Sequence, residues 1–272
     1  MQYLQVRHYV IPQLGLGTYN IQGKEASFLV EQALEMGYRH LDTAQMYGNE
    51  TEVGTALRRS SVDRDDVWVT TKVWHTELAE GKFLRSVEAS LDKLGLDYVD
   101  LLLIHWPSPE VSVEEAVMNL IKAQDREYCR AIGVSNFPMD HLITAMEMGA
   151  EIINNQVEYH PFLDQSPLLG FLQAQQMSLT AYSPLAQGKV VEDPTILDIA
   201  EAHGKTPAQI ALRWLVEQDE VLAIPRSSNL TRMRQNLEIF NFRLTEQDRA
   251  RLDGLTAQNR RLVNPDFAPA WD

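Results

Sequence analysis

A repeated rhythm constrains this chain most: eight short apolar runs, each followed by a longer amphipathic stretch, with no linker between them. The runs are Leu14–Gly17, His40–Thr43, Val67–Lys72, Val99–His105, Ala131–Ser135, Ile152–Val157, Leu179–Tyr182 and Val221–Ile224. Most are continuously apolar rather than alternating, as parallel strands covered on both faces must be. The stretches between them carry helix signals. Leu84, Val87, Leu91 and Leu94 recur at helical spacing, and Gly95 supplies a stop. Ser112 with Glu115 reads as a capping box, Ser166-Pro167 and Asp193-Pro194 as caps followed by a first-turn proline, Thr206-Pro207-Ala208-Gln209 as both devices together, and Thr245 with Asp248 as another helix start.

Strands alternating with helices imply right-handed crossovers and a parallel sheet, and eight such units favour closure into a parallel (β/α)8 TIM barrel. An open doubly wound sheet is the alternative, but Gly15-Leu16-Gly17-Thr18-Tyr19-Asn20 breaks the G-x-G-x-x-G fingerprint at its last glycine. A length of 272 residues suits one barrel, so residues 1–272 are expected to form a single domain. A short N-terminal hairpin is expected at Tyr3–Val10, despite the lack of an Asn-Gly turn, and a C-terminal loop follows the last helix.

The formal net charge of −14 argues against nucleic acid or an anionic membrane as the main partner. An anionic cofactor would need a local basic patch. Cys129 is the sole cysteine, which forbids an intrachain disulfide and fits a reducing compartment. The first residues lack a secretory apolar core, and the apolar run around Tyr98–Trp106 is far shorter than a membrane span. A soluble cytoplasmic protein is expected.

In a β/α barrel, chemistry sits at the C-terminal ends of the strands. Asp42 and Tyr47 follow the second run, Lys72 the third and His105-Trp106 the fourth. Ser135-Asn136 follow the fifth, Gln156 and Glu158 the sixth, Tyr182-Ser183 the seventh and Arg226-Ser227-Ser228 the eighth. Singly, each has an ordinary explanation: Lys72 as an ion-pair partner of Asp42, His105 as a satisfied core histidine, Tyr47 as a loop aromatic, Tyr182 as packing. Together at one mouth, Asp42, Tyr47, Lys72 and His105 describe a proton-donating site. A phenol holds its proton to a pKa of about 10. A nearby ammonium is expected to lower that value, a carboxylate keeps the lysine charged, and a histidine orients a carbonyl oxygen. No nucleophile stands beside a base, which counts against acyl transfer, and no carboxylate pair suggests a glycosidase. His8, His40, His75, His141, His160 and His203 are scattered, so no metal site is expected.

GLGTYN (Gly15–Asn20), GYRHLDTAQMYGNE (Gly37–Glu50), TTKVW (Thr70–Trp74), LGLDYVDLLLIHWP (Leu94–Pro107), IGVSNF (Ile132–Phe137), NQVEYHP (Asn155–Pro161), YSPLAQG (Tyr182–Gly188) and IPRSS (Ile224–Ser228) resemble the motifs of the aldo-keto reductase superfamily, in family order over almost the whole chain. The short loops and the NPDFAPAWD tail look most like bacterial diketogluconate reductases, which also reduce small ketoaldehydes. The resemblance implies a monomeric, NADPH-dependent oxidoreductase of aldehydes and ketones, with Tyr47 as general acid, Asp42 and Lys72 tuning it, and His105 orienting the carbonyl. It places Gly17, Thr18 and Asp42 beside the cofactor, Ser135, Asn136 and Gln156 on the nicotinamide amide, and Tyr182 under its ring. Ser183, Leu185 and Ser227 would contact pyrophosphate and ribose, Arg226, Ser228 and Arg232 the 2′-phosphate, and Gln235 and Asn236 the adenine. Tyr19, Tyr47, Trp74, His105 and Trp106 would meet the substrate, with Trp271 a further candidate for an apolar wall. Tyr19 stands where many relatives carry tryptophan, Arg226 replaces the more usual lysine, and Asp125–Arg130 lacks a glycine common before the fifth strand. The alternative is a cofactor-binding redox sensor or partner-binding subunit with slow turnover; the intact set of four favours the enzyme.

Overall fold

The computed structural model describes residues 1–272. A hairpin, β1 (Tyr3–Val6) and β2 (Tyr9–Pro12), precedes eight parallel strands: β3 (Leu16–Gly17), β4 (His40–Asp42), β5 (Trp68–Val73), β6 (Val99–Ile104), β7 (Cys129–Ser135), β8 (Ile152–Glu158), β9 (Ser178–Tyr182) and β10 (Val221–Ala223). Each pairs with its neighbour in chain order. The segment leading into β3 closes the ring onto β10: Leu14 bridges Ala223, and the Gly15 amide donates to the Ala223 carbonyl at 2.9 Å. The result is a (β/α)8 barrel. Gly17 sits on this seam, where a β-carbon would stand 2.7 Å from the Ile224 carbonyl oxygen. Gly17→Ala should therefore force two backbones apart and cost roughly 1–3 kcal/mol. A lowered urea midpoint would register it, and a midpoint equal to wild type would mean the seam gives freely.

Ten helices surround the strands: α1 (Gly23–Met36), α2 (Glu50–Arg59), α3 (Phe83–Leu94), α4 (Val113–Asp125), α5 (Met139–Glu147), α6 (Ser166–Ala174), α7 (Pro194–His203), α8 (Pro207–Val216), α9 (Leu230–Leu237) and α10 (Glu246–Asp253). Gly95 closes α3 at φ 66°, and Asp193 caps α7. Thr206–Gln209 and Thr245–Asp248 form full reciprocal capping boxes. Two caps differ from expectation. The Ser112 hydroxyl accepts from the Glu115 amide, but Glu115 turns its carboxylate to the Glu80 amide at 2.8 Å, so the box is half made. Ser166 is the first residue of α6 rather than its cap; the Asp164 carboxylate accepts its amide at 2.9 Å. At α4 a backbone amide of the loop before α3 takes the Glu115 carboxylate, and at α6 the Asp164 carboxylate is a stronger acceptor than a serine hydroxyl.

Strand alternation grades the barrel interior from apolar floor to polar mouth. On β5, Trp68, Thr70 and Lys72 share one face; Leu101 and Leu103 of β6 lead up to His105 in the same way. Trp68, Leu101, Leu103, Ala131, Ile153 and Leu222 pack with Val6 and Ile11, so the hairpin plugs the floor. Its turn is made without Asn-Gly: Arg7 takes φ 52°. The phase changes once. The pairing of β7 with β8 steps from Ile132–Ile152 to Val134–Asn155, leaving one extra residue in β8. This bulge lets Ile153 face the floor while Gln156 faces the mouth, which strict alternation would forbid.

Candidate active site

Asp42 ends β4, Lys72 lies near the end of β5, and His105 follows β6. Tyr47 stands on a single helical turn, Gln45–Tyr47, closed by Gly48 at φ 65°. Buried Asn49 fixes that turn by donating to the carbonyls of Thr18 and Ile21 at 2.8 and 2.9 Å and accepting the Thr43 hydroxyl at 2.7 Å. Lys72 is fully buried, and its ammonium meets three acceptors: the Asp42 carboxylate at 2.5 Å, the Thr43 carbonyl at 2.9 Å and the Tyr47 hydroxyl at 3.2 Å. The other Asp42 oxygen accepts the Gln156 side-chain amide at 2.7 Å. The His105 ring lies 5.5 Å from that of Tyr47, edge to face.

Electrostatics assign the proton. Burial holds Lys72 below its usual value, and the Asp42 carboxylate opposes the fall. Burial, then the charge on Asp42 and the neighbouring Tyr19, push the Tyr47 phenol well above 10. That reverses the lowering expected from the sequence. Desolvation penalises a phenolate heavily here, and the Lys72 ammonium, shared with Asp42, offsets that penalty without cancelling it. Tyr47 thus keeps its proton at neutral pH. His105 is pulled well below 6.5 by burial, then by Lys72 and His75. It is a neutral ring, and its buried Nδ1 has no partner.

A cleft of about 550 Å³ opens over this group, lined by residues that include Gly17, Asp42, Tyr47, His105, Asn136, Gln156, Tyr182 and Arg226. A hydrogen-bonded chain runs along its floor. The Tyr182 hydroxyl donates to the Asn136 side chain at 2.8 Å, Asn136 donates to the His105 carbonyl at 3.1 Å, and the Ser135 hydroxyl donates to the Gln156 carbonyl at 2.8 Å. Ser183 and Gln187, both at positive φ, line the rim after β9. Arg226 is exposed and donates to the Asn20 carbonyl at 3.0 Å.

Other predicted residues lie outside the cleft lining. Thr18 is buried, its hydroxyl on the Asp42 carbonyl at 3.0 Å, and Ser135 is buried in the sheet. Leu185, Ser227 and Ser228 flank the rim without lining it, and Arg232, Gln235 and Asn236 lie on α9. Arg232 is exposed, whereas Asn236 is buried beside the Tyr38 hydroxyl.

The opposite half of the cleft is aromatic. Tyr19, Met46, Trp74 and Trp106 line it together with Phe267, whose ring meets Trp74 at 5.8 Å and Trp106 at 5.6 Å. Phe267 and the segment Leu262–Pro265 were missed by sequence reasoning. Trp271, by contrast, lines a separate cavity of about 360 Å³ behind that segment, touching Trp106 only at 6.0 Å.

Residues 13–257 match the Aldo/keto reductase family. The chain belongs to this family. Among aldo/keto reductases it is 42% identical to a methylglyoxal reductase DkgB of Yersinia pestis over 267 residues, covering 96% of this chain and 99% of that one. It is 40% identical to a 9,11-endoperoxide prostaglandin H2 reductase of Trypanosoma cruzi, covering 96% and 94% of the two chains. A crystal structure described as a candidate 2,5-diketo-D-gluconic acid reductase B superposes with a TM-score of 0.97 at 43% identity, over 100% of this chain and 98% of that one.

Proposed function

We propose that this aldo/keto reductase is an NADPH-dependent oxidoreductase that reduces small aldehydes and ketones to alcohols, with Tyr47 as general acid. The observation that carries the reading is the three-way contact of the Lys72 ammonium with Asp42, Thr43 and Tyr47, beneath an aromatic cleft. The relatives' names favour ketoaldehydes or diketogluconate-type sugar acids as substrates.

The lining residues fit a nicotinamide dinucleotide. Asn136 and Gln156 offer amides suited to a carboxamide, Tyr182 offers a ring face, and Arg226 offers a cation at the far rim. When bound, that cofactor supplies the hydride. The chain's own residues do the rest. The aromatic wall excludes water, neutral His105 orients the carbonyl oxygen, and the Tyr47 hydroxyl gives its proton to that oxygen as negative charge develops there. Lys72, held by Asp42, then faces the phenolate left behind at 3.2 Å and stabilises it. No helix is long and apolar enough to cross a membrane. Asp42, Tyr47, Lys72 and His105 come from one chain, so a monomer suffices for the reaction. The direct test follows cofactor absorbance while the protein is offered a panel of carbonyls; no turnover of any of them would leave the slow redox-sensor reading in its place.

NADPH should be preferred to NADH. Arg226 and Arg232 are exposed cations on an otherwise acidic protein, and guanidinium forks bind phosphate with charge-assisted bonds. Replacing both by alanine is expected to weaken NADPH far more than NADH, and added salt should erode the wild-type preference in the same direction. Dissociation constants from fluorescence quenching at two ionic strengths check this. Equal losses for both cofactors would mean that the arginines merely hold the loop.

A further inference from the structure

Glu158, the last residue of β8, is fully buried and takes no part in the proton-donating group. Its carboxylate forks onto two successive backbone amides of the C-terminal segment: Leu262 donates to Oε1 at 2.7 Å and Val263 to Oε2 at 2.8 Å. Oε1 also faces His160 Nε2 at 2.9 Å, and the Glu158 carbonyl accepts from Gln165 at 2.7 Å. Both amides and the ring nitrogen therefore converge on a charge that would be costly to bury without them.

The clasped segment, residues 259–272, has neither helix nor strand to hold it. Two further backbone amides join it to the barrel, and two contacts fold it on itself. The Arg260 amide reaches the Phe162 carbonyl at 2.7 Å, the Arg261 guanidinium stacks 3.7 Å over Trp271, Trp271 donates to Asn264 at 2.8 Å, and the exposed Asp272 carboxylate accepts the Met139 amide at 3.1 Å. Glu158 grips where the segment starts to line the cleft, five residues before Phe267 joins Trp74 and Trp106. The β8 bulge is what brings Glu158, along with Gln156, to the mouth at all.

We propose that Glu158 is a positioning residue for substrate specificity: by clasping Leu262 and Val263 it sets where the Pro265–Phe267 wall stands against the two tryptophans. The inference rests on the reductase reading. Glu158 also pairs across the sheet with Tyr182, so the competing account is an effect through the cofactor platform.

The test uses Glu158→Gln in the full chain. Glutamine keeps the size but presents an amide donor to one of the two backbone donors. Hydrogen exchange at Leu262 and Val263 is expected to rise about tenfold or more, the scale of one charge-assisted bond. KM for methylglyoxal should rise by a similar factor, with kcat within about threefold and the NADPH dissociation constant unchanged. In a Phe267→Ala background the same substitution should leave KM nearly unmoved, because the wall it positions is gone. Glu158→Asp keeps the charge but reaches one methylene less. It should behave alike, and it serves if the glutamine variant does not fold. Weakened NADPH binding with unchanged KM, independent effects of Glu158→Gln and Phe267→Ala, or unaltered exchange at the two amides would each overturn the proposal. A wild-type protein that reduces no carbonyl would sink the reductase reading instead, while the exchange measurement would still report on the clasp.

Discussion

Tyr47→Phe is expected to lower kcat for carbonyl reduction by roughly 10²–10⁴-fold, the usual scale of lost general-acid catalysis, while NADPH still binds. Among Tyr47, Lys72 and His105, the phenol is the one that lines the cleft and has its pKa raised rather than lowered. Burial, with Asp42 and Tyr19, raises its pKa, whereas burial and the Lys72 charge strip the proton from His105. Phenylalanine preserves the ring that packs edge to face on Tyr19 at 5.2 Å and on His105 at 5.5 Å, so the cleft should keep its shape. Kinetics with several carbonyls, alongside fluorescence titration with NADPH, separate the two effects. Most of the wild-type kcat surviving would mean that the proton reaches the alkoxide by another route.

Much of this site could be read from residue order because parity and strand ends do the placing. Once VWVTTK and DLLLIH are read as parallel strands, Lys72 and His105 must arrive at the mouth, and Asp42 must face Lys72 from the adjacent strand. The β8 bulge was not legible. IINNQVE contains no glycine or other mark of the extra residue, and Gly133, whose absent β-carbon leaves room for the Asn154 carbonyl, lies on the neighbouring strand. The contacts of the C-terminal segment were hidden for a different reason. Glu158 and Leu262 stand 104 residues apart, and an irregular strap has no periodicity to announce its partners. The direction of the Tyr47 shift also escaped, since it turns on depth as well as neighbours: the cost of burying a phenolate outweighs what an ammonium shared with Asp42 returns. The hairpin formed without its expected turn residues because Val6 and Ile11, packed on the barrel floor, hold it from either side.

Lys72→Met should reduce kcat by a similar order, roughly 10²-fold or more, and should change the shape of the pH–rate profile. Burial lowers the pKa of Lys72 and raises that of Tyr47, so as pH rises the lysine is the first of the pair to lose its proton. Below that point the ammonium stabilises the developing phenolate; above it the stabilisation is gone, and the wild-type rate should fall along an alkaline limb set by Lys72. Methionine removes that limb. The small residual rate should then persist to higher pH, until the phenol itself titrates. The variant also strands the Asp42 carboxylate, and breaking a buried pair from one side costs roughly 3–5 kcal/mol, so lost stability could mimic lost catalysis. The double variant Asp42→Asn with Lys72→Met separates them. It leaves no orphan charge, and the asparagine oxygen can still accept from Gln156, so thermal stability should return while the rate does not. Recovery of the rate along with stability, or a single variant whose pH profile matches wild type, would reduce Lys72 to a structural partner of Asp42.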